Sequence, residues 1–134
     1  MRTDAQTLGD DAESAVAAHL VRHGWTILGR QVRVGRGELD LVGIDPGPPR
    51  MLVIVEVRWR RSRAFGIGEE TLDWRKRAHL RAAIGRLLDD GGPAELAGGT
   101  GRISLPIRVD LVLVEPPVGD GTAPRIRHHR AIEL

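Results

Sequence analysis

Residues 51–60, MLVIVEVRWR, are apolar at every position up to Val57 except Glu56. A strand with one solvated face alternates apolar and polar side chains, whereas a run apolar on both faces needs cover on both sides. This segment is therefore expected to be a central strand of a sheet flanked by helices, and every other element has to be arranged around it.

The remaining text supplies those elements. From about Asp4 to His23, Leu8, Ala12, Ala15, Val16, His19 and Leu20 recur at helical spacing, and Gly24 is a natural stop. WTILGRQVRV (25–34) alternates as a strand, Gly35-Arg36-Gly37 turns the chain, and ELDLVGI (38–44) reads as a second strand. The PGPPR stretch (46–50) can only be a loop. A second helix is expected from about Leu72 to Leu88, with Leu80, Ala83, Ile84, Leu87 and Leu88 on its apolar side. RVDLVLVE (108–115) and RIRHH (125–129) complete the strands. The resulting fold class is α/β, a single mixed sheet flanked by helices in the order α-β-β-β-α-β-β, and 134 residues suit one domain over 1–134.

Composition narrows the function. Cysteine is absent, which removes thiol nucleophiles, disulfides and cysteine metal cages. The polar, acidic start MRTDAQTLGDDAES is unlike a secretory signal, and no apolar run approaches the roughly 20 residues that span a bilayer. A cytoplasmic protein without membrane contact is expected. The net charge is only +2, but the basic residues gather in RWRRSR (58–63), RKRAHLR (75–81) and RIRHHR (125–130), while acids collect in the first helix. Such segregation suits an anionic partner, nucleic acid first; solvated helix and strand faces are the plainer explanation. Lys76 is the sole lysine among 20 basic residues, a bias that fits a GC-rich genome.

Two carboxylates interrupt the apolar strands. If the loop closes an antiparallel hairpin centred on Pro48, opposed residues sum to 96: Asp40 faces Glu56, Glu38 faces Arg58, Val42 faces Ile54 and Ile44 faces Leu52. Opposed acids repel, and partial burial makes the repulsion worse, so something positive must compensate. A magnesium-like divalent ion can do so, as can a structural network of Arg58 with Asp40 and Glu56. Asp110 is expected to be a strand-edge acid paired with an arginine. His19 and His23 lie one helical turn apart but lack a third zinc ligand.

GELDL (37–41), VIVEVRWR (53–60), Phe65-Gly66 and a helix opening with RKR (75–77) together resemble the YraN-like family of small bacterial proteins. Gly9, Glu13 and Ala17 ahead of Gly24-Trp25, and Val109-Asp110-Leu111 on a late strand, fit as well, so the resemblance covers about residues 8–132. It implies a restriction-endonuclease-like core similar to that of Holliday-junction resolvases. In that superfamily one strand supplies a metal-binding acid and the next a Glu-x-Lys. Carried over, Asp40 is the acid, Glu56 the glutamate, and Arg58 stands where the lysine is usual; Glu13 matches a further acid on the first helix. Arg30-Gln31 departs from the Arg-Asn usual in the family. Arginine can stabilise negative charge but does not act as a base.

The leading expectation is thus a magnesium- or manganese-dependent endonuclease, a hydrolase of structured or branched DNA. Asp40, Glu56 and Arg58 would be catalytic, and Asp40, Glu56 and Glu13 would hold the metal. Arg60, Arg61, Arg63, Arg75, Lys76 and Arg77 would bind nucleic acid. Nucleases of this fold often dimerise to address two strands, so the resemblance also allows a homodimer. The alternatives are a nucleic-acid-binding module that keeps the fold without turnover, and a protein-interaction domain with a buried ion network.

Overall fold

The computed structural model describes residues 4–60, 72–89 and 105–134, with side chains from Gly9 onward. Its elements follow the expected order: α1 (Asp4–Arg22), β1 (Thr26–Val34), β2 (Gly37–Asp45), β3 (Met51–Trp59), α2 (Trp74–Asp89), β4 (Ile107–Glu115) and β5 (Arg125–His129). The α1 end is closed by Gly24 at φ +88°. The Trp25 amide donates to the Leu20 carbonyl and the Gly24 amide to that of Val21, each at 3.0 Å. This 6→1 and 5→2 pairing satisfies the helix's last carbonyls and needs the left-handed conformation that glycine adopts freely.

All five strands form one mixed sheet in the order β1-β2-β3-β4-β5. The β3–β4 pair is parallel, and α2 lies in the crossover between those strands; the other pairs are antiparallel. As its composition requires, β3 is central, and Leu52, Val53, Ile54 and Val55 are at most 1% exposed. Ala12, Val16, Ala17 and Leu20 of α1 pack with Trp25, Leu41, Val53, Val55, Val112 and Val114. Leu80, Ala83 and Leu87 of α2 pack with Val34, Leu39, Val42, Leu52, Ile54, Leu111 and Leu113. The helices therefore cover opposite faces. Leu88, expected on the buried side of α2, is 40% exposed because it lies one position past the covered stripe at the helix end.

The hairpin has the expected register. Leu41 pairs with Val55, Val42 with Ile54, Gly43 with Val53, Ile44 with Leu52 and Asp45 with Met51. Its last pair on the side away from the loop is Leu41–Val55, one residue short of Asp40 and Glu56. Glu38 lies opposite Arg33 in β1, and on the β3 side the ladder does not extend to the expected Glu38–Arg58 pair. Two features mark the break. Leu39 joins the α2-side core and Leu41 joins that of α1, although residues two apart on a regular strand share a face. Across β1, Arg30 pairs with Leu41 and Val32 with Leu39, while Gln31, opposite Asp40, is skipped and takes φ +48°. Asparagine tolerates that conformation better than glutamine, which gives the Arg30-Gln31 departure a physical meaning.

Candidate functional site

Asp40 occupies this irregular point of β2, and its carboxylate does what a ladder carbonyl would otherwise do: Oδ2 accepts the Val57 amide at 2.8 Å. Glu56 sits beside it on β3 and is 4% exposed. Burial first, and the charge of Glu56 second, push the Asp40 carboxyl up to about 7; the Val57 amide and the charge of Lys76 pull the other way. Near neutrality Asp40 is thus poised between holding its proton and losing it.

Two cations face Glu56. Lys76, on the first turn of α2, brings Nζ to 3.2 Å of Oε1. Arg58, two residues along β3, brings Nε to 3.6 Å of the same oxygen. That Arg58 contact is too long for a hydrogen bond, and its buried Nε has no acceptor. Glu56 Oε2 is also buried without a partner. A buried carboxylate oxygen left unmatched is costly, and it is the orphan a bound ion or water would satisfy.

Glu13 of α1 is buried and accepts from Arg30 Nε at 3.1 Å. Burial raises its pKa, the charge of Asp40 raises it further, and Arg30 opposes both. Glu13 is thus an electrostatic neighbour of the acid pair. Among the described residues no three His, Cys, Asp or Glu side chains converge as ligands for one ion. The acid pair itself suits magnesium or manganese, which are commonly held by one or two carboxylates and otherwise keep water.

The basic residues divide. Arg75 is exposed, and its guanidinium lies over the Trp74 ring, 5.4 Å from the centroid. Trp74 is itself 71% exposed. Lys76 turns inward to Glu56 rather than outward. Arg77 donates from Nε to the Leu72 carbonyl at 3.0 Å and from Nη1 to the Glu133 carbonyl, tying the start of α2 to the chain's last residues. Arg60 is buried, a correction to its expected place on a phosphate-binding surface. Arg61 and Arg63 lie outside the described residues.

A second ionic cluster, on the α1-side face near Trp25, was only partly legible. Asp110 is fully buried and accepts from Arg108 through both oxygens at 2.8 and 2.9 Å, and from the Ala131 amide at 3.0 Å. His128 Nε2 lies 2.7 Å from Asp110 Oδ2. Burial pushes the Asp110 carboxyl up, but the His128, Arg108 and Ala131 hydrogen bonds override it and hold it at about 2. Arg108 also reaches Asp45 at 2.8 Å. Asp110 is therefore paired with an arginine, as expected, although β4 is an interior strand. The i, i+2 spacing of Arg108 and Asp110 signals their shared face; nothing local in the sequence signals Asp45. His19 and His23 are joined by a 2.8 Å contact between His23 Nδ1 and the His19 carbonyl, an arrangement that turns this ring nitrogen toward the backbone.

Residues 12–114 match the sequence model of UPF0102, an uncharacterised protein family. A UPF0102 protein of Anaeromyxobacter dehalogenans is 40% identical over 126 residues, covering 94% of this chain and 83% of the relative. One from Corynebacterium efficiens is 36% identical over 121 residues, 89% of this chain and 88% of the relative. A third, from Pseudomonas paraeruginosa, is 44% identical over 79 residues, 59% of this chain and 61% of the relative. In several such relatives the match spans 55–65% of their own length.

Proposed function

The chain belongs to the uncharacterised protein family UPF0102, the YraN family, and we propose that it is a metal-dependent endonuclease hydrolysing phosphodiester bonds in structured or branched DNA. The observation that carries this reading is the Asp40–Glu56 pair: two acids on neighbouring strands at a break in the sheet, the charge of Glu56 raising Asp40 and Glu56 Oε2 left unmatched. A protein gains nothing in stability from such a pair alone, since like charges in a partly buried site repel. Perturbed acids of this kind concentrate where charge is used.

Magnesium or manganese held by Asp40 and Glu56 would supply Lewis-acid polarisation of the scissile phosphate and acidify a bound water. Hydrolysis adds the hydroxyl of water to phosphorus, and the remaining proton ends on the departing ester oxygen. The protein's own task is to place charge around that exchange. Asp40 is positioned by its bond from Val57, and Glu56 is held from one side by Lys76. Glu13, whose carboxyl the charge of Asp40 raises, would complete the ion's shell directly or through water. The cations facing Glu56 stabilise negative charge as it builds on the phosphate oxygens. Exposed Arg75 and Trp74, at the start of α2 where the dipole favours anions, give a flanking phosphate and base a place to rest.

A second reading, a nucleic-acid-binding module without turnover, is favoured by Arg58 standing at the usual lysine position. One screen separates the two. The protein is incubated with manganese and single-stranded, duplex, flap and four-way-junction DNA, with Asp40→Asn alongside. The nuclease reading expects cleavage of a structured substrate by the wild type and none by the variant. Binding without cleavage on every substrate favours the module.

A further inference from the structure

Resting on the nuclease reading, we propose that Lys76 on helix α2 is the catalytic lysine of this centre. It supplies from the helix the ammonium that Arg58 does not supply from the strand. The geometry favours Lys76 over Arg58 at the same oxygen. Lys76 Nζ lies 3.2 Å from Glu56 Oε1, a hydrogen-bonding distance, whereas Arg58 Nε stops at 3.6 Å with no acceptor. Arginine's planar fork reaches its full strength only when it meets a carboxylate squarely, and here it does not. A lysine ammonium has three rotatable donors, so it can hold Glu56 with one and offer others to water or a phosphate oxygen. Its side chain is 32% exposed, against 5% for Glu56, so the group bridges the buried acid and the side from which a substrate would come.

The backbone under Lys76 is fixed for this task. Asp73 caps α2 by accepting the Lys76 amide through Oδ1 at 2.9 Å. The neighbouring Arg77 side chain is bonded to the Leu72 carbonyl just ahead of that cap. The ammonium also stands at the N-terminal, positive end of the helix, whose dipole adds to its field on an anion. Composition supplies an independent argument. In a chain where every other basic residue except histidine is arginine, the one lysine among 20 is the one whose ammonium reaches the acid pair. Guanidinium and ammonium differ in shape and donor geometry, so the two are not interchangeable at such a position.

The test uses the full-length protein and Lys76→Met, which keeps an apolar stem of similar length and removes the charge. Single-turnover cleavage of the preferred substrate with manganese should fall about 10²–10³-fold, the usual effect of removing one transition-state donor. DNA affinity in calcium should stay within about twofold, since one phosphate-scale contact at most is lost. Adding Arg58→Lys to Lys76→Met should recover at least about tenfold of the lost rate, because it returns an ammonium to the neighbourhood of Glu56. Independently of turnover, manganese binding by Lys76→Met should tighten by about threefold to tenfold, since a cation competing for the same carboxylate is gone. A purely structural lysine would instead lose cleavage, DNA affinity and manganese affinity together, which overturns the assignment. A wild type that cuts and a Lys76→Met that cuts equally fast overturns the assignment alone. A wild type that cuts no substrate overturns the nuclease reading and this assignment with it.

Discussion

Replacing Asp40 with asparagine should make the metal-free protein more stable at alkaline pH, and the structure sets how much. The folded carboxyl titrates at about 7 against 3.8 for an unperturbed aspartate. With each pKa unit worth about 1.4 kcal/mol, ionising Asp40 in the folded protein costs on the order of 4 kcal/mol. Because solvent and relaxation around the substituted side chain relieve part of it, about 2 kcal/mol should be recoverable by one substitution. Asparagine retains an oxygen to accept the Val57 amide, so the backbone contact survives. The sign follows from proton binding. The folded state holds the extra proton between the two pKa values, so stability falls as pH rises from about 4 to about 7 and stays reduced above that. Urea unfolding in the presence of a chelator should show Asp40→Asn more stable than wild type by about 2 kcal/mol at pH 8, which at this chain length is about 6–10 °C in Tm. At pH 4 the difference should be near zero. A variant less stable at pH 8, or a gain independent of pH, would refute the account of the acid pair and favour a structural network.

Three further outcomes follow from other parts of the molecule. Asp110→Asn should destabilise by about 3 kcal/mol at pH 7, because it takes the fully buried anion from half-buried Arg108 and His128 and leaves Arg108 only Asp45; in the wild type this contribution is present above pH 3.8 and is lost as pH falls through about 2, measurable by acid titration of circular dichroism. Gln31→Asn should raise stability by about 0.5 kcal/mol by easing a residue held at φ +48°, read from paired urea curves, and a loss larger than its exposed bond to Asp10 accounts for would contradict the strain. Trp74→Ala should weaken binding to single-stranded DNA by about 1–3 kcal/mol while Trp74→Phe retains most of it, in a fluorescence titration where the wild-type signal is quenched by the oligonucleotide.

What the sequence made legible was set by local periodicity. The apolar run of β3 demanded cover on both faces, and alternation on either side of the Pro48 loop fixed a register that the Val42–Ile54 and Ile44–Leu52 pairs carry out. The nearness of Asp40 and Glu56 follows from that register almost to the residue. The details that shape their chemistry do not. The ladder breaks because Gln31 leaves the extended region and Asp40 takes the Val57 amide, a three-strand event that no single strand announces. Lys76 reaches Glu56 because α2 packs over β1 and β2 with its first turn beside β3, which depends on helix placement rather than on spacing along the chain. The Arg108–Asp45 pair joins residues 63 apart in sequence. Burial of Arg60 likewise depends on what surrounds the end of β3, and a basic run read alone suggests a solvated face.

The central claim is that Asp40 and Glu56 form a divalent-cation site, and a calorimetric titration with manganese at pH 8 tests it most directly. At that pH the Asp40 carboxyl, raised to about 7, is mostly ionised and free to bind a cation. The account predicts saturable binding of one ion per chain in the wild type, abolished or greatly weakened in both Asp40→Asn and Glu56→Gln. Absence of saturable binding, or binding unchanged by either substitution, would contradict it.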